Sequence, residues 1–215
     1  MEKFALVIVD MQKYYLENDS AYSRYFDFLY PESLLYIRER SINIAIPNIL
    51  KLRNCFKSLN LPVIYFKLCS QKDDRSDLHR FFKKSYDEGL ENGFAGVYPI
   101  VTDTDADIID ELKPGHDDII VNKTTFSAFS SSDIEAVLKS LNVKALTFTG
   151  LATSQCVETS ARDASDRGFD VFQIHDAQSD YSEVTHQASL YSSQAVCGGS
   201  IYDTDSFIEF LKKTI

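Results

Sequence analysis

The chain contains short, wholly apolar runs that are spaced along its whole length and separated by amphipathic stretches. A run such as residues 4–9, in which every position is apolar, is typical of a strand that is buried on both faces of a parallel sheet. Strands are predicted in this way over residues 4–9, 62–66, 118–121, 145–149 and 169–174. The pattern therefore predicts a central sheet whose strands are far apart in sequence.

Helical periodicity occupies the intervals between these strands. Apolar residues recur at helical spacing at Ile46, Ile49, Leu50 and Phe56, and again at Ile134, Val137, Leu138 and Leu141. The second helix opens with residues 132–135 (SDIE), a sequence typical of a capping box. Because strands alternate with helices and no linker composition interrupts the chain, we predict one domain over residues 1–215. Its fold class is α/β, a three-layer α/β/α, Rossmann-like architecture with a mostly parallel sheet.

Two segments depart from this alternation. Residues 19–42 are crowded with aromatic side chains, and residues 69–100 form a polar stretch that contains three glycines. Ligands of doubly wound sheets bind beyond the carboxyl ends of the strands, where long connections serve as lids or subunit contacts. Each segment has that interpretation or a simpler one, a surface insertion that only covers the core.

Polar side chains follow three of the predicted strands. Asp10 comes directly after the first strand, Lys123 ends the third, and Cys156 lies shortly after the fourth. If Thr153 is the N-cap of the next helix, Cys156 falls in its first turn, where backbone N–H groups and the helix dipole stabilise a thiolate. Strand ends at one sheet edge converge, so these side chains are expected to meet.

A carboxylate, an ammonium and a thiol form a complete set for covalent amide hydrolysis. Cys156 would attack a carbonyl, Lys123 would lower the pKa of the thiol, and Asp10 would carry the proton to the leaving nitrogen. Each residue also has a structural interpretation. Asp10 and Lys123 are then solvated strand ends or helix caps, and Cys156 is a small apolar side chain packed under its helix.

Composition removes several classes of function. The chain of 215 residues is 44% hydrophobic and carries a formal charge of −10, which argues against a nucleic-acid surface or a membrane-binding patch. No apolar run reaches the length of a membrane span, and the first residues lack the basic and apolar regions of a signal peptide, so we expect a cytoplasmic protein. The cysteines, which lack C-x-x-C spacing and are expected to be free thiols, are Cys55, Cys69, Cys156 and Cys197.

Three segments resemble the signature segments of the isochorismatase-like cysteine hydrolases. They are residues 10–12 (DMQ), 123–129 (KTTFSAF) and 150–164 (GLATSQCVETSARDA), each at a predicted strand end. The resemblance runs from about residue 4 to the end of the chain and is weakest over the two irregular segments. It implies a catalytic triad of Asp10, Lys123 and Cys156. It also implies a cis peptide bond between Leu151 and Ala152, and an oxyanion hole formed by the amides of Ala152 and Cys156.

The branches of that family cleave different bonds, and their motifs indicate which kind of bond this chain would cleave. Isochorismatases that cleave a vinyl ether typically lack the thiol, so Cys156 favours the C–N hydrolases. Nicotinamidases usually carry a D-x-H metal motif after the second strand with two more histidines. Here residues 77–79 (DLH) come late and the next histidine is His116, so no metal and no other cofactor is expected. Residues 123–129 and 186–190 are more similar to ureido and biuret amidohydrolases, relatives of N-carbamoylsarcosine amidase.

Four residues are candidates for contacts with a small amide or ureide substrate. The family has an aromatic pocket wall after D-x-Q, which corresponds to Tyr15, with Tyr14 as the competing choice. Phe126 and Phe129 either face the substrate or belong to the core. Gln155, beside the thiol, either donates a hydrogen bond to the substrate or is solvated.

Other functions remain open from the sequence. A nicotinamidase-type or isochorismatase-type hydrolase would use the same fold, a redox protein would oxidise Cys156, and a scaffold would use residues 19–42 as an interaction surface. The aromatic content of that segment, with the tendency of the family to form dimers or tetramers, predicts a homo-oligomer. Its interface is expected to include Tyr22, Tyr25 or Phe28. Neither nucleic acid nor membrane is expected as a partner.

Overall fold

The strands form one sheet in which every strand pairing is parallel. A computed structural model describes residues 3–195 and 199–215. The strands there are β1 (Lys3–Val9), β2 (Val63–Leu68), β3 (Ile119–Lys123), β4 (Val143–Leu151), β5 (Asp170–Ser179) and β6 (Ser200–Tyr202), in the order β3-β2-β1-β4-β5-β6. The five predicted strands are confirmed, whereas β6 has no counterpart in the sequence prediction because three residues carry too little pattern.

Helices cover both faces of the sheet, which confirms the three-layer α/β/α fold. They are α1 (Lys13–Leu16), α2 (Ala21–Leu29), α3 (Leu35–Arg40), α4 (Ile46–Ser58), α5 (Arg80–Glu91), α6 (Ile134–Ser140), α7 (Glu158–Asp166), α8 (Glu183–Ser193) and α9 (Thr204–Thr214). Two π-helical turns, Ser41–Ala45 and Thr153–Val157, precede α4 and α7 directly. Within the described residues, no helix combines the length and the apolar character needed to cross a membrane.

The uninterrupted apolar sequence of β1 follows from its position between two helical layers. Leu6 and Ile8 belong to the core layer that also contains residues of α4 and α9. Val7 and Val9 belong to the opposite layer, with residues of α6 and α7. Since side chains alternate between the faces of a strand, a strand covered on both faces is apolar at every position.

The strand order creates a crevice at the carboxyl ends of β1 and β4. The chain moves outward from β1 to β2 and β3, and then returns to the other side of β1 to form β4. Ligands of open parallel sheets bind where the strand order reverses in this way. Asp10, directly after β1, and Cys156, in the turn after β4, flank this crevice.

The aromatic residues of the segment 19–42 divide between the protein's own core and its surface. Tyr22 and Tyr25 of α2 are each 2% exposed, whereas Phe28 on the same helix is 60% exposed. The expectation of an aromatic surface is therefore wrong for Tyr22 and Tyr25, because both rings pack against other aromatic rings of the chain. Only Phe28 of the three remains available to a partner.

The capping box predicted at residues 132–135 does not form. The Ser132 hydroxyl donates instead to the carbonyl of Ala128, at 2.7 Å, in the turn that precedes α6. Glu135 forms ion pairs with Lys139 and Arg167 rather than reaching back to the helix start. The sequence pattern was correct for the position of the helix but not for its cap.

Candidate active site

Asp10, Lys123 and Cys156 meet at the carboxyl edge of the sheet. The Nζ atom of Lys123 lies 2.8 Å from Oδ2 of Asp10 and donates a hydrogen bond to Sγ of Cys156 at 3.2 Å. It also donates to the carbonyl of Thr125 at 3.1 Å. The ammonium thus has one acceptor for each of its three protons and holds the carboxylate and the thiol on either side of it.

Burial and charge act in opposite directions on this group. The side chains of Lys123 and Asp10 are 0% and 1% exposed. Burial lowers the pKa of Lys123, but the charges of Asp10 and Cys156 outweigh it and raise the pKa overall. Burial raises the pKa of Asp10, and Lys123 opposes that shift only in part. The lysine is therefore charged, and the carboxylate is more basic than usual.

Burial and charge also act in opposite directions on the thiol of Cys156. Burial raises its pKa well above the ordinary value; Lys123 lowers it, as expected, but does not compensate. Oδ2 of Asp10 faces the ammonium of Lys123, whereas Oδ1 has no hydrogen-bond partner among the described residues, so the carboxylate keeps lone pairs free for the thiol proton. Moving the thiol proton to Asp10 keeps the net charge of the buried group unchanged, which makes that transfer the accessible route to a thiolate.

The turn that carries Cys156 begins one residue earlier than it would with Thr153 as its N-cap. Thr153 is the first residue of the π-helical turn rather than its N-cap, and Ala152 precedes it. The carbonyl of Ala152 accepts from the amides of Gln155, at 3.0 Å, and Val157, at 3.2 Å. Neither bond uses the amide of Cys156. The cis peptide bond between Leu151 and Ala152 is confirmed.

Asp180 takes the capping role that the sequence assigned to Thr153. Its Oδ2 accepts from the amide of Ser154 at 2.6 Å, and its Oδ1 accepts from the amide of Tyr181 at 2.7 Å. Asp180 is fully buried at the end of β5. A carboxylate at this helix start is favourable, but it comes from a residue 26 positions away, so no local pattern could identify it.

Gln12 joins the ends of β1 and β2. Its side chain accepts from the amide of Leu68 at 2.8 Å and donates to the carbonyls of Leu68, at 3.2 Å, and Ala106, at 2.8 Å. Gln12 is fully buried and lies two residues after Asp10. The glutamine of the D-x-Q segment therefore fixes the backbone beside the carboxylate.

Tyr15 and its alternative Tyr14 both lie at the site. Their rings are 4.0 Å apart, and the Tyr14 hydroxyl donates to the carbonyl of Leu68 at 3.1 Å. Burial raises the pKa of both phenols well above the usual range, and the charge of Cys156 adds to this shift in each. Both hydroxyls are therefore neutral groups close to the thiol.

Three further tyrosines, which the sequence analysis did not assign to the site, complete this aromatic wall. Tyr98 and Tyr181 also feel the charge of Cys156, and burial raises the pKa of Tyr181 to about 12. The hydroxyls of Tyr22 and Tyr181 are hydrogen-bonded at 3.1 Å, which links α2 to the segment after β5. The wall leaves no space for a water molecule between Tyr15, Leu16, Tyr22, Leu34, Ile37, Leu151 and Tyr181.

The other predicted substrate residues are placed differently. Phe126 is half-buried, with its ring 4.5 Å from that of Phe82 in α5. Phe129 packs at 6.0 Å against Phe169, near the amino end of β5, with the Arg167 guanidinium over its ring. The structure therefore places Phe129 with the core residues around the end of α7 rather than with the triad. Gln155 is half-buried in the turn of Cys156.

The D-x-H motif has structural partners. Asp77 accepts from the hydroxyl of Ser70 at 2.5 Å and from the amide of Gln71 at 2.8 Å. His79 is the N-cap of α5, and its Nδ1 accepts from the amide of Phe81 at 3.3 Å. In the part of the chain that the structure describes, no three His, Cys, Asp or Glu side chains are grouped so that they could hold a metal ion.

Two other cysteines lie in the described residues, and both are buried free thiols. Burial raises the pKa of Cys55 and raises that of Cys69 to about 11. Cys197 lies outside the described residues. Among the described thiols, only Cys156 is hydrogen-bonded to an ammonium.

Comparison with known proteins connects this site to a family. The isochorismatase domain model matches residues 4–205. The ureidoacrylate amidohydrolase RutB of Serratia proteamaculans is 34% identical over 110 residues, which are 51% of this chain and 44% of that protein. Nicotinamidase 3 of Arabidopsis thaliana is 29% identical over 163 residues, covering 71% of this chain and 82% of that protein. The chain therefore spans less than half the length of the curated ureidoacrylate amidohydrolase.

A solved structure gives the same result for the fold. N-carbamoylsarcosine amidase from Thermoplasma acidophilum superposes with a TM-score of 0.65 at 20% identity, over 94% of this chain and 97% of that one. At this identity the likeness concerns the fold alone. The family match, however, runs from β1 into α9 and includes the ends of β1, β3 and β4. We conclude that this chain belongs to the isochorismatase domain family.

Proposed function

We propose that the chain, as one catalytic domain over residues 1–215 in the cytoplasm, is a cysteine hydrolase that cleaves a small-molecule amide or carbamoyl C–N bond and releases ammonia. The observation that carries this proposal is the position of the Lys123 ammonium, between the Asp10 carboxylate and the Cys156 thiol. The similarity to a ureidoacrylate amidohydrolase and a nicotinamidase supports a non-peptide C–N bond as the target.

The first half of the reaction forms a covalent enzyme. Asp10 takes the thiol proton while Lys123 stabilises the resulting thiolate, which forms an S–C bond to the substrate carbonyl carbon. The carbonyl π electrons move onto oxygen, and the amides of Ala152 and Cys156 donate to that oxyanion. When the C=O bond re-forms, the C–N bond breaks, and Asp10 returns its proton to the leaving nitrogen as ammonia departs.

The second half restores the thiol. Water attacks the acyl- or carbamoyl-enzyme as Asp10 removes one of its protons. The C–S bond then breaks, the acid product leaves, and the proton passes from Asp10 to Sγ. The residues that we propose to contact the substrate are Tyr15, Phe126 and Gln155. Phe129 is proposed only to support the core beneath the site.

Nicotinamide hydrolysis is the second candidate, because the similarity to nicotinamidase 3 extends over 71% of this chain. The deciding experiment is a panel of nicotinamide, ureides and N-carbamoyl compounds, assayed for ammonia, with acid-quenched samples mapped by mass spectrometry for an adduct on Cys156. Cys156→Ser, which keeps the shape of the side chain, is the matched control. We expect ammonia and an adduct in the wild type and neither in the variant.

Other outcomes of this panel would contradict the proposal. Ammonia release that survives in Cys156→Ser would exclude the covalent route. Rapid oxidation of Cys156 by peroxide, without turnover of any amide, would instead favour a redox protein. A protein that neither turns over nor oxidises would fit a scaffold.

We predict that turnover does not depend on a metal. The side chains of Asp77 and His79 already have partners in the chain, and His116 lies far along the sequence from them. Activity after exhaustive chelation should therefore equal that of the untreated enzyme. A reversible loss that zinc, iron or manganese restores would contradict this prediction and would favour the nicotinamidase-type site.

We also propose a homo-oligomer, a dimer or tetramer, with an interface that keeps Phe28 of the residues the sequence predicts but not Tyr22 or Tyr25. Between residues 28 and 44, the exposed large apolar side chains are Phe28, Leu29, Tyr30, Leu35, Ile42 and Ile44. Sedimentation at low micromolar concentration is expected to give more than the 24.4 kDa of one chain. Phe28→Ser with Ile42→Ser should shift the protein toward monomer, whereas Val184→Ser, at an exposed position of α8, should not. A wild-type monomer would exclude the oligomer.

A further inference from the structure

Arg40, the last residue of α3, connects three parts of the chain behind the nucleophile. Its guanidinium donates to the carbonyls of Gln178, at 3.0 Å, and His175, at 3.1 Å, both in β5. It also lies 2.9 Å from Nε2 of His186 in α8. Its side chain is 12% exposed and forms a 3.6 Å ion pair with Glu183. The guanidinium of Arg40 therefore faces acceptors in both β5 and α8.

The contact with Arg40 determines which ring nitrogen of His186 donates a hydrogen bond and which accepts one. Because a guanidinium can only donate, Nε2 of His186 must be an acceptor, and the ring is neutral with its proton on Nδ1. That Nδ1 lies 2.8 Å from Oγ1 of Thr153 and donates to it. Thr153 in turn donates to the carbonyl of Ser179 at 3.2 Å. The chain of bonds thus runs from Arg40 through His186 to Thr153.

Thr153 is the first residue of the turn that carries Cys156. Its carbonyl accepts from the hydroxyl of Ser189, one helical turn after His186 on α8, at 3.2 Å. The carboxylate of Glu158, the first residue of α7, lies 2.5 Å from the same hydroxyl, whose single proton serves one of the two acceptors at a time. Ser189 of α8 therefore lies between the start of the turn that presents the thiol and the helix that follows it.

We propose that neutral His186, placed between Arg40 and Thr153, is a positioning residue that sets the turn of Cys156 against Lys123. This proposal rests on the proposed function only in taking the thiol of Cys156 as the nucleophile. It concerns a residue that is fully buried and outside the triad. A shift of about 1 Å in such a turn would break the 3.2 Å contact between Nζ and Sγ.

The surroundings of His186 favour its neutral form. Burial lowers the pKa of His186 to about 4, and the positive charges of Arg40 and His175 lower it as well. The carboxylates of Glu183 and Asp180 oppose the shift. Protonation would place an N–H group against the guanidinium and break the chain of bonds, so the arrangement is expected to fail only in acid.

Substitutions at Thr153 test the proposal without changing the triad. Thr153→Val keeps the shape of the side chain but removes the hydroxyl, whereas Thr153→Ser retains it. The measurement is the rate of alkylation of Cys156 by iodoacetamide, with peptide mapping, on protein that circular dichroism shows to be folded. Thr153→Val is expected to slow alkylation by about tenfold or more, and Thr153→Ser should restore the wild-type rate.

Substitutions at His186 separate its two bonds. The Asn amide of His186→Asn can replace Nδ1 toward Thr153, and the longer Gln amide of His186→Gln can replace Nε2 toward Arg40. Both variants lose one bond, so both should alkylate more slowly than the wild type. His116→Asn, at a fully exposed histidine, is the matched control and should leave the rate unchanged.

Imidazole NMR tests the protonation state and the bond direction that the proposal assigns to His186. His186 should remain neutral, with its proton on Nδ1, at a pH of about 5.5, where an ordinary histidine is mostly protonated. Protonation there, or wild-type alkylation in Thr153→Val, would overturn the proposal. Since neither measurement uses a substrate, their results are independent of whether the protein hydrolyses an amide.

Discussion

Asp10→Asn, Lys123→Ala and Cys156→Ala are each expected to remove most of the turnover. All three groups serve the same step, in which the thiol proton moves to Asp10 and the sulfur electron pair of Cys156 attacks the substrate. Lys123 contacts both of the other side chains. Asp10→Asn removes the proton carrier, a step worth on the order of 10²- to 10⁴-fold in rate. The amide has nearly the shape of the carboxylate, so substrate affinity should change little. Steady-state assays of ammonia release give kcat and KM separately.

The double variants should be hardly slower than the single ones. Residues that act as one unit are strongly non-additive, because the loss of one already disables the step that the others serve. Lys123→Ala has a second effect, since it leaves the buried carboxylate of Asp10 unpaired, at a cost of about 3–5 kcal/mol in unfolding free energy. Urea unfolding of each variant separates that effect from catalysis. Near-wild-type turnover in any folded single variant would contradict the triad.

The sequence was sufficient to predict five strands of the sheet and the positions of the triad residues along the chain. Strands such as β1 are apolar at every position because both faces are covered, and this pattern is local. Asp10 stands out as a charge directly after β1, and Lys123 as a charge at the end of β3. Parallel strands place their carboxyl ends at one edge, so the meeting of these residues follows from topology.

The state of the thiol could not be predicted in the same way. The pattern places Cys156 near the start of a helix and Lys123 near the thiol, and both effects favour a thiolate. The opposing effect is burial, which depends on how Tyr14, Tyr15, Tyr98 and Tyr181 close over the site. These tyrosines come from distant parts of the chain, and no local sequence pattern reports how they pack together.

The connections around the turn were also hidden from the sequence. Thr153 has the residue type of an N-cap, but the carboxylate of Asp180, which approaches from β5, takes that role. The hydroxyl of Thr153 then remains available to His186. Long-range partners of this kind replace the local cap that residue preferences predict.

Gly150→Ala is expected to be the most destabilising single substitution near the site. Gly150 pairs with Val9 across β4 and β1 and has a φ of +101°. A Cβ atom there would lie 2.1 Å from the carbonyl oxygen and 2.6 Å from the amide nitrogen of Val9. Both obstacles are backbone, so the two strands would have to separate at the point where one leads to Asp10 and the other to the turn of Cys156.

Gly168→Ala is the matched control for this effect. Gly168 also has a positive φ, +85°, but a Cβ atom there would meet nothing within 4 Å. Its cost should be the conformational strain alone, about 1 kcal/mol in unfolding free energy. Gly150→Ala adds the clash and should exceed about 4 kcal/mol, with turnover reduced in the folded fraction. Urea unfolding of both variants measures the difference, and equal midpoints would show that β1 and β4 are not held as closely at Val9 as this structure requires.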